Sequence, residues 1–267
     1  MTSTMTSRIA RSLTDKSLVA LVIAVLLYLY LPIVVLIVFS FNDSSQLTLP
    51  LQGFTLTWYE RMAGNRDLLA ALWNSLYVAC AATALTVIIG VPAALALDRF
   101  SFPGKTLFRR LVLLPLVLPG IITGISLLSL FKIMGVRLSL EAVIIGHATA
   151  LLSVVVTQVF ARLQRLNRNL EDAAADLGAK PLTVLLLVVL PNIRSAIIGS
   201  ALLAFTLSFD EIPVTFFLTG RDNTLPMYIW STLRRGMTPE INAIASLIML
   251  GSFVLAMISV WLLRDER

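Results

Sequence analysis

The chain has 267 residues, of which 58% are hydrophobic and only 13% charged, with a formal net charge of +6 and a single histidine. An ordinary soluble domain carries about a quarter charged residues, and so few charges cannot coat this much apolar surface in water. The composition excludes an intrinsically disordered chain, a disulfide scaffold and a simple soluble enzyme.

The apolar residues fall into six blocks, each near the ~20 residues that a helix needs to cross about 30 Å of hydrocarbon. The first, Leu18–Phe41, follows Arg8, Arg11 and Lys16. It is far longer than the ~7–15 residues of a signal-peptide core and precedes no small-residue cleavage pattern, so it reads as an uncleaved span. The stretch Asn42–Leu68, with Trp58 and Tyr59, is too long to be a turn. The second block, Leu69–Leu97, holds the lone Cys80, which allows no internal disulfide and reads as a core residue.

The third block, Leu111–Phe131, follows a basic turn, Pro103-Gly104-Lys105-Thr106. That turn ends like a phosphate-binding loop, but Arg99 stands where such a loop needs its first glycine, and Pro103 removes a backbone donor. The fourth block, Ala142–Phe160, carries His147 and Gln158, both read as helix–helix hydrogen-bond partners. The fifth runs roughly over Ile193–Leu218 and the sixth over Ile241–Leu263. Pro32, Pro92, Pro115, Pro119 and Pro213 lie inside blocks. Such breaks are tolerated where neighbouring helices satisfy the freed backbone groups, which predicts a packed bundle.

Six spans put both termini on one side, and Lys and Arg favour that side by about two to one. This predicts cytoplasmic termini: an inner segment 1–17, a membrane domain 18–263 and a tail 264–267. The basic residues lie between apolar blocks, so they read as topology signals, and no nucleic-acid partner is expected. One histidine rules out an HExxH zinc site, and no GxSxG elbow occurs. No catalytic or metal residue is assigned.

Two polar features remain. The inner stretch 162–191 contains Leu170-Glu171-Asp172-Ala173-Ala174-Ala175-Asp176-Leu177-Gly178-Ala179-Lys180-Pro181. Glu171 to Leu177 predicts a short alanine-rich helix with carboxylates near its start. Gly178 can take the left-handed conformation that ends a helix, and Pro181 suits the first turn of the next. The physical alternatives are a compact two-helix corner and an ordinary interfacial linker. The second feature is Asp210-Glu211, inside the fifth block and just before Pro213. A charge at bilayer depth costs at least about 2.5–3.5 kcal/mol and usually faces a cavity or a partner. The pair therefore reads either as part of a solute pathway or as a structural ion pair. Phe209, Tyr228 and Trp230 could add aromatic faces for a cation, although interfacial anchoring is the ordinary role of such rings. Arg234 and Arg235 are expected in an outer loop.

The inner stretch resembles the EAA loop of permease subunits of binding-protein-dependent (type I) ABC importers. Asp172 stands at the Glu place, followed by Ala173, Ala174, Gly178, Val188, Leu190 and Pro191 at the pattern's spacing, with Asp for Glu and Val for Ile as departures. Leu182–Leu190 is more apolar than in relatives, which leaves the inner boundary of the fifth span open. Asn74-Ser75-Leu76, Arg99-Phe100-Ser101-Phe102-Pro103-Gly104 and Leu114-Pro115-Leu116-Val117-Leu118-Pro119 extend the likeness. Ser208-Phe209-Asp210-Glu211, Phe216-Phe217-Leu218-Thr219-Gly220, Thr224-Leu225-Pro226-Met227 and Pro239-Glu240-Ile241-Asn242-Ala243 resemble the spermidine/putrescine-type permeases, in particular the second, PotC-like, member of the pair.

The resemblance implies an all-α polytopic membrane protein with six transmembrane helices and the MetI-like fold, in a bacterial inner membrane. It implies that Glu171, Asp172, Ala173, Ala174, Asp176, Leu177, Gly178, Ala179, Lys180 and Pro181 dock in a groove of a cytoplasmic ATPase. The implied partners are a second homologous permease, two ATPase subunits that bind ATP and Mg, an external solute-binding protein and membrane lipid. The chain itself is then not an enzyme and needs no cofactor. A substrate such as iron, thiamine, an opine or a quaternary amine is the alternative within the fold. A secondary transporter and a membrane-embedded enzyme are the alternatives outside it.

Overall fold

The computed structural model describes residues 2–44, 48–234 and 239–264, but not the side chains of 2–16, 255, 256 and 258–264. Arg235 and Arg267 therefore lie outside the described residues, as do the side chains of Arg8, Arg11, Lys16 and Arg264. The described chain is helical, apart from loops and one isolated bridge between Asn42 and Phe54. It divides into two compact units, 1–66 with 232–267, and 67–231.

The first unit holds α1 (Thr2–Phe39), α2 (Thr57–Gly64) and α12 (Pro239–Arg264). The Ser17–Phe39 part of α1 is long and apolar enough to cross a membrane, and none of its most apolar stretch is buried within the chain. Such a face is stable only against lipid or another apolar surface. The loop after α1 is tied down by its polar groups. Trp58 Nε1 donates to the Asn42 carbonyl at 2.8 Å, Asn42 Oδ1 accepts from the Gln52 amide at 2.8 Å, and the Ser40 and Tyr59 hydroxyls lie 2.7 Å apart. Phe41 stacks on Phe54 with ring centroids 5.2 Å apart.

The second unit is built around α6 (Leu140–Leu163). Ser139 caps it, its hydroxyl accepting from the Ala142 amide. α6 contributes Val155, Val156 and Val159 to a core shared with Val91, Ala94 and Leu97 of α3 (Arg66–Arg99). The same core takes in Val189, Ile193 and Ala204 from the later part of the unit.

The third apolar block is not one straight span. It divides into α4 (Lys105–Val117) and α5 (Gly120–Ile133), bent by 114°. Pro115 sits inside α4, whereas Leu118 and Pro119 are extended and make the bend. Pro disfavours the helical conformation of the residue before it, and that places the bend at Leu118.

The fifth block also departs from expectation. Its helix begins at Pro181 rather than near Ile193, and it stops at Phe209 rather than running on to Leu218. The rod comprises α8 (Pro181–Val184), a π-turn at Leu185–Val189 and α9 (Leu190–Phe209). In the π-turn the Leu190 amide reaches back to the Leu185 carbonyl. That wider turn takes up Pro191, which has no amide to donate and would crowd a regular turn. α10 (Pro213–Leu218) and α11 (Leu225–Leu233) follow the break at 210–212.

Four described helices are long and apolar enough to cross a membrane: Ser17–Phe39, Arg66–Arg99, Leu140–Leu163 and Pro181–Phe209. The bent α4–α5 pair makes a fifth if counted as one span, and Pro239–Val254 is a shorter apolar stretch. The chain is thus an all-helical polytopic membrane protein with four or five such spans among the described residues, against the six expected.

Cys80 is exposed on α3 rather than in the core. In a membrane bundle an apolar neighbourhood does not separate the packed face from the lipid-facing one, since lipid is as apolar as leucine.

Candidate functional site

Two polar places interrupt this apolar scaffold, and they lie at opposite ends of the rod Pro181–Phe209. The first is the corner that follows α7 (Asn169–Asp176). Asp176 ends the helix, and Gly178 takes φ +84°. The Gly178 amide donates to the Ala175 carbonyl at 2.8 Å and the Ala179 amide to the Ala174 carbonyl at 3.0 Å. This pair of bonds closes a helix in the Schellman manner, and the left-handed residue it needs is favoured as glycine. Lys180 is extended and Pro181 opens α8, so the chain turns sharply within four residues. Asp172, Ala173, Asp176, Leu177, Lys180 and Pro181 are exposed, Leu177 to 89%. Ala174 and Ala179 are half-buried. Glu171 is half-buried too, and accepts from Arg99 Nη2 at 2.6 Å.

The second place is the break after α9. Asp210 ends that helix with its amide on the Thr206 carbonyl, and its side chain is exposed. No hydrogen bond or ion pair holds its carboxylate among the described residues. Glu211 behaves differently: its Oε1 accepts from the Val214 amide at 3.0 Å and so caps α10. The two carboxylates expected to act as a pair are separated in role by this one bond. Phe209 is half-buried and stacks on Phe205 with centroids 6.0 Å apart. Tyr228 and Trp230 sit on α11, the first half-buried and the second 43% exposed.

His147 holds the break from α6. It is buried, with Nδ1 2.8 Å from Ser208 Oγ on α9 and Nε2 2.9 Å from Thr215 Oγ1 on α10. Thr215 donates its own proton to the Glu211 carbonyl at 2.9 Å. The Thr215 oxygen must therefore accept from His147, which puts the ring proton on Nε2 and leaves Nδ1 to accept from Ser208. One neutral imidazole thus clasps both sides of the break. This is the helix–helix hydrogen-bonding role expected for His147. Gln158, expected to do the same, is exposed on α6 and has no such partner among the described residues.

The clasp is set in close packing around two glycines. A Cβ on Gly146 would run into Leu218 Cδ1 and lie 2.9 Å from Val214 Cγ1. One on Gly124 would lie 2.7 Å from Phe217 Cδ2 and 3.1 Å from the Pro213 carbonyl. The start of α5, after its own bend, therefore packs directly on α10, and the two broken segments meet.

Sequence reasoning missed Ser208 and Thr215 as partners of His147. It also missed Asp98, Gln164 and Arg168, which gather beside Arg99 and Glu171. Asp98 Oδ1 accepts from Gln164 Nε2, and Asp98 Oδ2 lies 3.1 Å from Arg99 Nε and 3.6 Å from Arg168 Nη2. Asp98-Arg99 at the end of the second block and the polar residues just before the EAA-like stretch were the available signal, but their joining needs the fold.

Comparison with known proteins agrees with this geometry. The chain is 37% identical over 244 residues to the spermidine/putrescine transport system permease protein PotC of Escherichia coli K12, covering 91% of this chain and 92% of the relative. It is 38% identical over 230 residues to the putrescine transport system permease protein PotI of the same strain, covering 83% and 82%. Its fold matches a crystal structure of a bacterial ABC transporter involved in the import of the acidic polysaccharide alginate, with a TM-score of 0.71, 17% identity and 96% of each chain covered. Residues 86–264 match the family described as the binding-protein-dependent transport system inner membrane component, and the chain belongs to that family.

Proposed function

We propose that this chain is the pathway-forming permease subunit of an ATP-driven importer for a polyamine such as spermidine or putrescine. The observation that carries the reading is the continuous rod Pro181–Phe209, which joins the exposed corner at Gly178 to the exposed carboxylate at Asp210. Its 29 residues correspond to about 44 Å of helix. A rigid element of that length passes a displacement at one end to the other without bending.

In this reading residues 162–191 form the inner loop. Its Asp172, Ala173, Ala174, Asp176, Leu177, Gly178, Ala179, Lys180 and Pro181 meet a cytoplasmic ATPase, with exposed Leu177 as the apolar knob, while half-buried Glu171 ties the loop to Arg99. Two ATPase subunits bind ATP and Mg, so the present chain needs no cofactor of its own. The chain pairs with a second, related permease and receives solute from an external binding protein. Segment 1–17 and tail 264–267 are cytoplasmic, and six spans lie between them, with α12 as the sixth.

Asp210 is the residue with which a cation would pair. Its carboxylate is exposed and has no basic partner among the described residues, so it is free to pair with a polyammonium chain. Phe209, Tyr228 and Trp230 offer aromatic faces to the same cation. Glu211, already used as a cap, shapes the break rather than meeting solute. Substrate names of the two permease relatives support a polyamine over the other solutes considered.

The test is uptake by the intact transporter, purified through a tag on this chain and placed in vesicles with its binding protein. ATP-dependent accumulation of labelled spermidine, displaced by putrescine and not by sulfate, is expected. Accumulation that needs no ATP, or that ignores spermidine, contradicts the reading.

A further inference from the structure

The inner end of α3 carries a charged hub that reaches the far end of α7. Arg99 closes α3, and its Nη2 bonds Glu171 Oε1 at 2.6 Å across 72 positions of sequence. Its Nε lies 3.1 Å from Asp98 Oδ2. The Asp98 side chain is only 1% exposed, its Oδ1 accepts from Gln164 just past α6, and Arg168 Nη2 stands 3.6 Å away on the approach to α7. One buried carboxylate thus gathers the ends of α3 and α6, and Arg99 carries the connection on to α7.

Exposed ion pairs contribute little, because water screens them and two long side chains must be held still. This pair differs on both counts. The side chains of Arg99 and Glu171 are 20% and 16% exposed, and Asp98 fixes the guanidinium from its other side. The planar fork of arginine is suited to bridging two carboxylates in this way. The helix ends favour it as well, with a cation in the last turn of α3 and an anion in the first turn of α7.

We infer that Arg99 and Glu171 form a strut through which the corner moves α3 together with α9, and that Asp98 locks the strut. This rests on reading the corner as the contact with the ATPase. α7 is held to the rod through Gly178 and by its packing on α8 and the π-turn. The ion pair gives it a second attachment at its opposite end. Two attachments fix its orientation, so a push on exposed Leu177 displaces two transmembrane helices at once. Arg99, Asp98 and Glu171 are positioning residues in this scheme, since they act through α7 and touch neither solute nor nucleotide.

The test compares Arg99→Glu, Glu171→Arg and the double exchange in the intact, reconstituted transporter. Labelled spermidine taken up and ATP hydrolysed are measured in the same vesicles. Each single reversal is expected to leave the complex assembled and hydrolysing ATP, while spermidine moved per ATP falls about tenfold. The double exchange should recover most of that loss. If a single reversal fails to assemble, Arg99→Gln and Glu171→Gln remove the pair without repulsion, Arg99→Lys keeps the charge, and the same ratio decides. A wild-type ratio in the single variants, or a double exchange no better than they are, overturns the strut while leaving the transport reading intact. A wild-type complex without ATP-driven uptake overturns both.

Discussion

The corner at Gly178 and the break at Asp210 end the same rod, yet different forces hold them. The corner is exposed, and nothing lies within 4 Å of where a Cβ on Gly178 would sit. Its shape comes from backbone conformation and from one half-buried ion pair at the far end of α7. The break is packed. Its shape comes from a buried histidine clasp and from packing too close for a side chain at Gly146 or Gly124. The difference teaches that the exposed corner can be altered with little loss of stability, whereas the packed break cannot. Steric changes should therefore read out as stability at the break and as coupling at the corner.

The largest stability effect is expected at Gly146. Gly146→Ala puts a Cβ against Leu218 and Val214, and such overpacking costs about 1–3 kcal/mol. Thermal unfolding of the detergent-purified transporter would show it as a lowered midpoint, and an unchanged midpoint would break the comparison. Next is His147→Ala, which strands the Ser208 hydroxyl and removes an acceptor–donor bridge. Its cost is about 1–2 kcal/mol, given the modest strength of hydrogen bonds between membrane helices. The same melting experiment measures it.

Gly178→Ala forces a Cβ into the left-handed region and costs about 1 kcal/mol locally. The unfolding midpoint should stay near wild type while spermidine moved per ATP declines. A lost midpoint with normal coupling would reverse the assignment. The smallest effect is expected for Glu211→Gln. The amide oxygen can still accept from the Val214 amide, so uptake should stay within about threefold of wild type. A collapse of uptake would give Glu211 the solute role assigned to Asp210.

Much of the scaffold was readable from the chain. Hydropathy placed the helices, and Gly178 with Pro181 marked the corner, because backbone demands there are local. The bends were harder. Pro115 and Pro119 both lie in the third block, but only the second opens a bend, and periodicity does not tell them apart. Leu182–Leu190 hid the start of the rod because a π-turn absorbs Pro191. Cys80 and Gln158 were misread because an apolar sequence looks alike whether it faces lipid, another subunit or its own bundle. At the break, Pro213 signalled a loosened helix, yet the division of labour between Asp210 and Glu211 needed the bond from the Val214 amide to the Glu211 carboxylate to become visible. The hub at Asp98 and Arg99 joins residues far apart in sequence, which no spacing rule could link.

The central claim is that an ATP-driven cation passes the exposed carboxylate of Asp210. The most direct measurement is labelled spermidine uptake into ATP-loaded vesicles by the intact transporter carrying Asp210→Asn, alongside wild type. The account predicts uptake reduced by about tenfold or more, with assembly and thermal stability unchanged. Wild-type uptake by Asp210→Asn would contradict it.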